Sequence, residues 1–298
     1  MAPVEIRPFR RSDREQLTAL VNAHVAAVVP GVAVSVNTLL SQLEREPEEA
    51  IVDPWVVERR TLVAIERDAV VAGAHLLRYD DSAPVSESYR GIGEIRWLVG
   101  RPETPAALDA LIGASVELMD GWAVRLRYAD GGVPAPFVYG IPENWPHIRG
   151  ALLRAGFAHT GHVELILHAA ITELPAFREP PVRGLELRRS VGRVGPARLA
   201  AVLEDEELGM IEVRGRTGGG RNPATVAWAD VGNLNVRENY RRRGVGTWLV
   251  AAAGEWLRLG GFDRLVDYVW PEQEEAQAFL ASVGFRHLTR TERGWQLP

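Results

Sequence analysis

Apolar and polar positions follow two spacings along the chain, one typical of strands and one typical of helices. Alternation over residues 4–8 indicates a short strand, and Leu17, Leu20, Val21 and Val25 then recur at helical spacing. The same patterns predict further helices over residues 36–45, 105–119, 144–155, 194–208, 249–257 and 272–282. They predict further strands over residues 61–67, 70–79, 91–99, 124–128, 156–167, 185–189, 209–214, 225–236, 264–269 and 285–297.

One stretch in the middle of the chain lacks this periodicity. It contains Pro175, Pro180 and Pro181, and proline removes backbone donors and favours extended chain. The length of 298 residues suggests two domains of ordinary size. The sequence therefore predicts domains at residues 1–172 and 185–298, joined by a linker at 173–184.

A pseudo-repeat relates the two halves. A Pro-Glu pair precedes a Gly-Phe-x-His motif in each half, at residues 142–143 and 156–159 and again at 271–272 and 284–287. The repeat predicts that the two domains have related folds.

Composition and charge exclude several classes of protein. The net charge of −5 argues against nucleic acid as the main partner, because phosphate binding needs a basic surface. The absence of cysteine excludes disulfides, thiolate nucleophiles and cysteine-type zinc sites. His159 and His162 fall in a predicted strand, where a separation of three places them on opposite faces, so no metal site is expected. No apolar run approaches a membrane span, and the N-terminus lacks an apolar signal core, so we expect a cytoplasmic protein with no membrane partner.

The most informative segment is a strand, a basic glycine turn and a helix in succession. Leu234 and Val236 alternate with polar residues, the turn reads Arg-Arg-Arg-Gly-Val-Gly over residues 241–246, and a helical pattern follows. The first N–H groups of a helix have no partner within it, and the helix dipole is positive there. Glycine lets a ligand approach the backbone, and arginine binds phosphate bidentately. The segment therefore predicts a phosphate or pyrophosphate site.

This segment resembles the acyl-CoA pyrophosphate loop of the GNAT acyltransferases, R/Q-x-x-G-x-G/A, at Arg241, Gly244 and Gly246. Its strand looks like the family's splayed strand, and Ala276, Phe279 and Gly284-Phe285 look like the helix and strand that close the fold. The resemblance implies two tandem α/β (mixed α+β) GNAT-like domains, each a mixed, mostly antiparallel twisted sheet flanked by helices. It implies acetyl-CoA as co-substrate, without metal, bound by Leu234, Asn235, Val236, Arg241, Arg242, Arg243, Gly244, Val245, Gly246, Thr247 and Gln273.

The first half resembles the family less where the cofactor would bind. After its strand it reads Gly-Arg-Pro-Glu-Thr-Pro over residues 100–105, without the motif. Glu103 would repel pyrophosphate, and Pro102 and Pro105 remove two backbone donors. We expect a degenerate first copy and a single competent cofactor site, in an architecture similar to that of the mycothiol synthases and in a monomer or homodimer.

The resemblance also places candidate catalytic residues. Asp230 lies on the strand before the arginine turn, where the family often has a general base. Because alternate residues of a strand share a face, Asp230 is expected on the face of Leu234 and Val236 unless a bulge intervenes. The family's tyrosine acid is replaced by Leu280 here, and Tyr268 is a possible substitute.

These observations favour an acetyltransferase that moves an acetyl group from acetyl-CoA to the primary amine of a small molecule by direct attack. A non-catalytic acyl-CoA-binding or regulatory module is the alternative, and an enzyme like the mycothiol synthases is a less favoured one. A dinucleotide-dependent oxidoreductase, with Asp267 at the ribose, fails because its third glycine would be Leu249.

Overall fold

The computed structural model of the protein describes residues 3–44, 54–133, 137, 139–192, 197–216 and 226–298. Its chain divides into two compact units, Met1–Val163 with Arg290–Pro298 and Glu164–Thr289. The unit boundary therefore lies inside a strand rather than at the predicted linker, and the last nine residues pack with the first unit. The predicted domains 1–172 and 185–298 thus have different bounds from the compact units. They stay a prediction about the two copies of the repeat.

In its described residues, the first unit is a mixed sheet with four α-helices. Its elements are β1 (Glu5–Pro8), α1 (Arg14–Val28), α2 (Val36–Leu43), β2 (Val56–Glu66), β3 (Ala69–Tyr79), β4 (Ile92–Gly100), α3 (Pro105–Gly121), β5 (Leu126–Ala129), β6 (Ile141–Pro142) and α4 (Pro146–Arg154). The strands β1 to β5 pair in sequence order, and all these pairings are antiparallel except that of β4 with β5. Residues 295–297 then pair antiparallel with β5.

The second unit contains the other elements, and its first and last strands begin or end outside it. They are β7 (Ala158–Ala170), β8 (Glu186–Val191), β9 (Ala197–Leu203), β10 (Glu206–Arg216), β11 (Trp228–Val236), α5 (Val245–Leu259), β12 (Arg264–Val269), α6 (Glu274–Ser282) and β13 (Arg286–Leu297). The sheet order β7-β12-β11-β10-β9-β8 is antiparallel apart from the parallel pair of β11 and β12. Helix α5 lies against β9, β10 and β11.

The helix predicted over residues 194–208 is wrong. The described part of this stretch forms β9 and the start of β10, because Leu199 and Ala201 enter the core at the two-residue spacing of a strand. Glu204 and Asp205 both have positive φ, as the hairpin turn between the two strands requires. Residues 193–196 lie outside the described residues. So does the glycine-rich stretch 217–223, whose sequence predicts a flexible hairpin loop.

The stretch predicted as a linker packs against α5. Leu174 is buried beside Gly254, and Leu185 is buried in the same core. The Trp248 indole N–H donates to the Arg178 carbonyl oxygen at 2.9 Å. Part of the segment predicted as a linker thus packs on α5.

In the described residues, the two units share the order of their main strands but differ in the connection between the first two. In each, a parallel strand pair is joined through a helix, α3 in the first unit and α5 in the second. The first unit has α1 and α2 between its first two strands, whereas β8 ends at Val191 and β9 already begins at Ala197. In the described part of the chain, no helix is long and apolar enough to cross a membrane.

Candidate functional site

The candidate site is a cleft between the two parallel strands of the second unit. The ladder of β11 and β12 holds three residue pairs and ends where Asp230 pairs with Val266. Beyond this point β11 continues to Val236 and β12 to Val269, and both segments line a cleft of about 1300 Å³. This volume exceeds the roughly 300–1,000 Å³ of ordinary small-molecule sites, so the cleft suits a long ligand.

The turn that carries the predicted phosphate motif forms one end of the cleft. Gly244 is the N-cap of α5 with a φ of 83°, a conformation that glycine adopts without strain. Arg241, Arg242, Gly246 and Thr247 also line the cleft. The partnerless N–H groups of the first helical turn therefore meet two cationic side chains at this end, which is a physical basis for binding pyrophosphate.

Most residues predicted to bind the cofactor line this cleft, among them Leu234, Asn235, Val236 and Gln273. Arg243 and Val245 do not. The Arg243 guanidinium lies 5.4 Å from the ring centroid of Tyr240, and the Val245 side chain is buried in the core. Any contribution of Val245 to an anion site would come from its backbone, not its side chain.

Gln273 has a structural contact in addition to its place in the cleft. Its side-chain oxygen accepts a hydrogen bond from the Trp270 N–H at 2.9 Å, and this contact closes the turn before α6. The same region brings acidic side chains to the cleft at Glu272, Glu274 and Glu275. The cleft is thus cationic at the arginine turn and acidic along the start of α6.

Asp230 was predicted to share a face of β11 with Leu234 and Val236, but it lies on the opposite face. The register between β10 and β11 shifts between Glu212 and Val213, so Gly232 is an extra residue in β11. Because of this bulge, Asp230 shares a face with Asn233, while Leu234 and Val236 share the other face. Asp230 is 5% exposed, lies outside the cleft lining, and has its carboxylate 3.8 Å from the Arg214 guanidinium.

Asp267 is a further candidate, which the sequence indicated only as a ribose contact of a dinucleotide. It is the first residue of β12 beyond the parallel ladder, and it lines the cleft. Burial, together with the nearby charge of Asp230, raises the pKa of Asp267 to about 7, although a hydrogen bond from the Tyr268 N–H opposes the shift. In the sequence, the feature that could have indicated Asp267 is an aspartate within the mostly apolar strand Arg-Leu-Val-Asp-Tyr-Val. Its place next to the end of the parallel ladder is seen only in the structure.

Tyr268 and Leu280 both line the cleft. Tyr268 is half-buried, and Leu280, in the position of the family's tyrosine, is buried. The described residues contain no group of three or more His, Cys, Asp or Glu side chains that could hold a metal ion.

The corresponding strand end in the first unit is occupied by protein groups. The Gly100 N–H donates to His24 Nε2 at 3.3 Å, and His147 Nε2 lies 3.0 Å from the Gly100 carbonyl oxygen. The Trp145 indole donates to the His24 carbonyl oxygen at 3.1 Å and anchors this arrangement. Backbone groups at the end of β4 are thus satisfied from within the unit.

The comparisons with known proteins agree with this geometry. Residues 165–285 match the family model described as the acetyltransferase (GNAT) family. A tandem GNAT protein from the clavulanic acid biosynthesis pathway has a similar structure, with a TM-score of 0.65, 15% identity and coverage of 99% of this chain and 98% of that one. A GCN5-related N-acetyltransferase from Sphaerobacter thermophilus has a TM-score of 0.62, 14% identity and coverage of 100% and 96%.

A glucosamine N-acetyltransferase region of a fungal multi-domain β-N-acetylglucosaminidase is also similar, with a TM-score of 0.65 and 12% identity. All of this chain aligns with it, but the chain spans only 38% of the length of that protein. A search of curated proteins found no match.

The fold and the family match together define a class. Residues 165–285 belong to the GNAT family of acetyltransferases, and the chain has the fold of the tandem GNAT proteins. Such a domain supports transfer of an acyl group from acyl-CoA, and the family uses acetyl-CoA.

Replacing Arg241 by alanine is expected to weaken CoA binding by about tenfold or less at low salt, because one charge-assisted partner is lost while the backbone donors remain. The loss should shrink as salt is added. Arg243→Ala is the matched control, since it removes the same charge from the same turn but from outside the cleft lining. Titration calorimetry at two salt concentrations measures both, and a larger loss for Arg243→Ala would contradict this assignment of the turn.

Proposed function

We propose that the protein transfers an acetyl group from acetyl-CoA to the primary amine of a small molecule, by direct attack of the amine on the thioester. The observation that carries the proposal is the continuity of one cleft, from the arginine turn to the point where β11 and β12 separate. A ligand with an anionic end and a long neutral arm matches this distribution of charge. The acyl end of such a ligand would lie where the strand backbones separate.

The small acceptor is supported by the charges of the cleft and of the chain. Acidic side chains at Asp267 and at the start of α6 favour a cationic amine over a phosphate-rich partner. The net charge of −5 agrees with an acceptor that is not a nucleic acid. We also propose that the protein is a monomer or homodimer, that it is cytoplasmic, and that the reaction uses no metal.

A non-catalytic acyl-CoA-binding module is the alternative, and Leu280 is the observation that favours it. A leucine cannot protonate a departing thiolate, so a chain with this residue has lost one ordinary aid to turnover. An enzyme that acts like the mycothiol synthases is a less favoured alternative, and it would differ only in its acceptor. Turnover with any amine separates the catalytic proposals from the binding module.

The test of function is an acceptor screen. Acetyl-CoA is incubated with a panel of small primary amines, and released thiol is followed with a chromogenic disulfide. Thiol release that depends on an amine, with the acetylated amine found by mass spectrometry, supports the proposal. CoA binding without any amine-dependent thiol release would favour the binding module instead.

We expect one CoA site per chain, because the arginine turn occurs only in the second unit and the end of β4 is bonded to His24 and His147. Isothermal titration with CoA should therefore give a stoichiometry near one. A stoichiometry near two would contradict the degenerate first copy.

A further inference from the structure

We propose that Asp267 is the proton acceptor of this acetyl transfer and that Asp230, on the neighbouring strand, tunes it. The inference rests on the proposed function, since it assigns a role within amine acetylation. It moves the base from the residue that the sequence indicated to one on the other strand of the parallel pair.

The position of Asp267 is the first argument. The parallel ladder ends at Asp230 and Val266, so Asp267 is the residue at which β12 leaves β11. Asp267 lines the cleft at this apex, whereas Asp230 does not line it. A thioester that reaches the apex from the arginine turn would therefore meet Asp267 first.

The second argument is that the Asp267 side chain is held in place. One carboxylate oxygen accepts a hydrogen bond from the Tyr268 N–H at 2.8 Å. On the same face of β12 it is flanked by Leu265 and Val269, which are buried, and Leu167 is its cross-strand partner on β7. A carboxylate fixed among apolar residues is a stronger base than one in water.

The charged groups around Asp267 come from several elements. Asp230 on β11 is the neighbour whose charge helps to raise the pKa of Asp267 to about 7, and burial is the larger cause. Arg214 on β10 pairs with Asp230 at 3.8 Å and does not line the cleft. Other charged groups lining the same cleft are Arg241 and Arg242 from the turn, and Glu272, Glu274 and Glu275 from the start of α6.

The proton balance of the step is simple. The Asp267 carboxylate takes one proton from the ammonium, and the nitrogen lone pair forms a C–N bond to the thioester carbon. The C–S bond breaks as the tetrahedral intermediate collapses, and the sulfur leaves with the bonding electron pair. The nitrogen then gives its surplus proton to the thiolate through solvent, and Asp267 releases its proton to water.

Two variants test this assignment with acetyl-CoA and the best amine from the screen. Asp267→Asn should lower kcat by about 10²–10⁴-fold with CoA affinity unchanged, because only proton transfer is lost. In the parent, kcat/KM should fall as the pH drops below about 7, since only the ionised Asp267 accepts a proton. In Asp230→Asn this fall should move to lower pH, because removal of a neighbouring negative charge lowers the pKa of Asp267.

Glu255→Gln is the matched control, since it removes a carboxylate from α5 that pairs with Arg258 away from the cleft. It should leave both kcat and the pH profile unchanged. Circular dichroism and CoA titration check the folding of each variant, and Asp267→Glu should recover part of the activity of Asp267→Asn. Full activity in a folded Asp267→Asn, or a pH profile that does not respond to Asp230→Asn, would overturn the proposal.

A measurement without any acceptor separates this inference from the proposed function. The protein is labelled with ¹³C-aspartate, and the Asp267 carboxyl resonance is assigned by its absence from the spectrum of Asp267→Asn. This resonance should titrate near pH 7 in the parent. In Asp230→Asn it should titrate at lower pH. Titration at the ordinary aspartate value of about 3.9 would overturn the role of Asp267 even if amines are acetylated. A resonance near pH 7 together with no acetylation of any amine would instead reject the proposed function.

Discussion

Protein that carries Gly244→Val should lose at least about 100-fold of its affinity for CoA, which corresponds to about 2.8 kcal/mol. Gly244 is the N-cap of α5 at a φ of 83°, and valine disfavours this left-handed conformation. Its side chain would also lie in the cleft lining, and a Cβ at this position comes 3.1 Å from Pro181. The turn would therefore move away from the geometry that aims its N–H groups at pyrophosphate.

The same substitution at the other end of α5 is the control. Gly261 has a φ of 76°, and a Cβ there would meet no atom within 4 Å. Gly261→Val should thus carry a similar strain of about 1–2 kcal/mol, and it should lower the melting temperature while leaving CoA affinity unchanged. Calorimetry and thermal melts are measured for both variants. If Gly244→Val binds CoA like the parent, the turn is not the cofactor loop.

The second large effect expected is loss of stability in acid, centred on two buried histidines of the first unit. Burial lowers the pKa of His24 to about 4 and that of His75 to about 3. The unfolded chain, with a histidine pKa of about 6.5, binds more protons than the folded one between these values, so stability falls as the pH drops from 6.5. At pH 4 each histidine should have removed about 3 kcal/mol, a large share of an ordinary unfolding free energy.

Urea unfolding at pH 7 and pH 4.5, followed by tryptophan fluorescence, measures this loss. The double variant His24→Gln/His75→Gln has no imidazole to protonate at these sites, so its free energy of unfolding should depend less steeply on pH below 6.5. His162→Gln, which removes an exposed imidazole, is the control and should keep the steep dependence. An equal slope in the parent and the double variant would mean that other groups govern acid unfolding.

The candidate cleft was predictable from sequence where its features are local. The arginine turn needs only a strand, two glycines and a helix in succession, and each leaves a mark in adjacent residues. The predicted anion site at Gly244 and the lining residues Leu234 to Val236 accordingly fall in one cleft. The tandem GNAT fold was also predicted correctly, because the pseudo-repeat and the motif are both present in the amino-acid sequence.

The features that escaped prediction depend on pairing between distant segments. The stretch around Leu199 reads equally well as a helix or a buried strand, and only its pairing with β10 decides. The extra residue at Gly232 is visible only in the register of β10 and β11, yet it reverses the face of Asp230. The sequence did not indicate Asp267 as a base, because the feature that suggests this role is the end of the parallel ladder.

The pairing of residues 295–297 with β5 has a consequence for biosynthesis. The first unit is discontinuous, since Arg290–Pro298 packs with Met1–Val163 although the whole second unit lies between them in the chain. A ribosome must therefore translate all of Glu164–Thr289 before the first unit can complete its sheet. The nascent chain holds an unclosed β5 edge during that time, and contacts of such long sequence separation form slowly. The first half to be synthesised therefore completes its sheet only after the whole second unit has been translated.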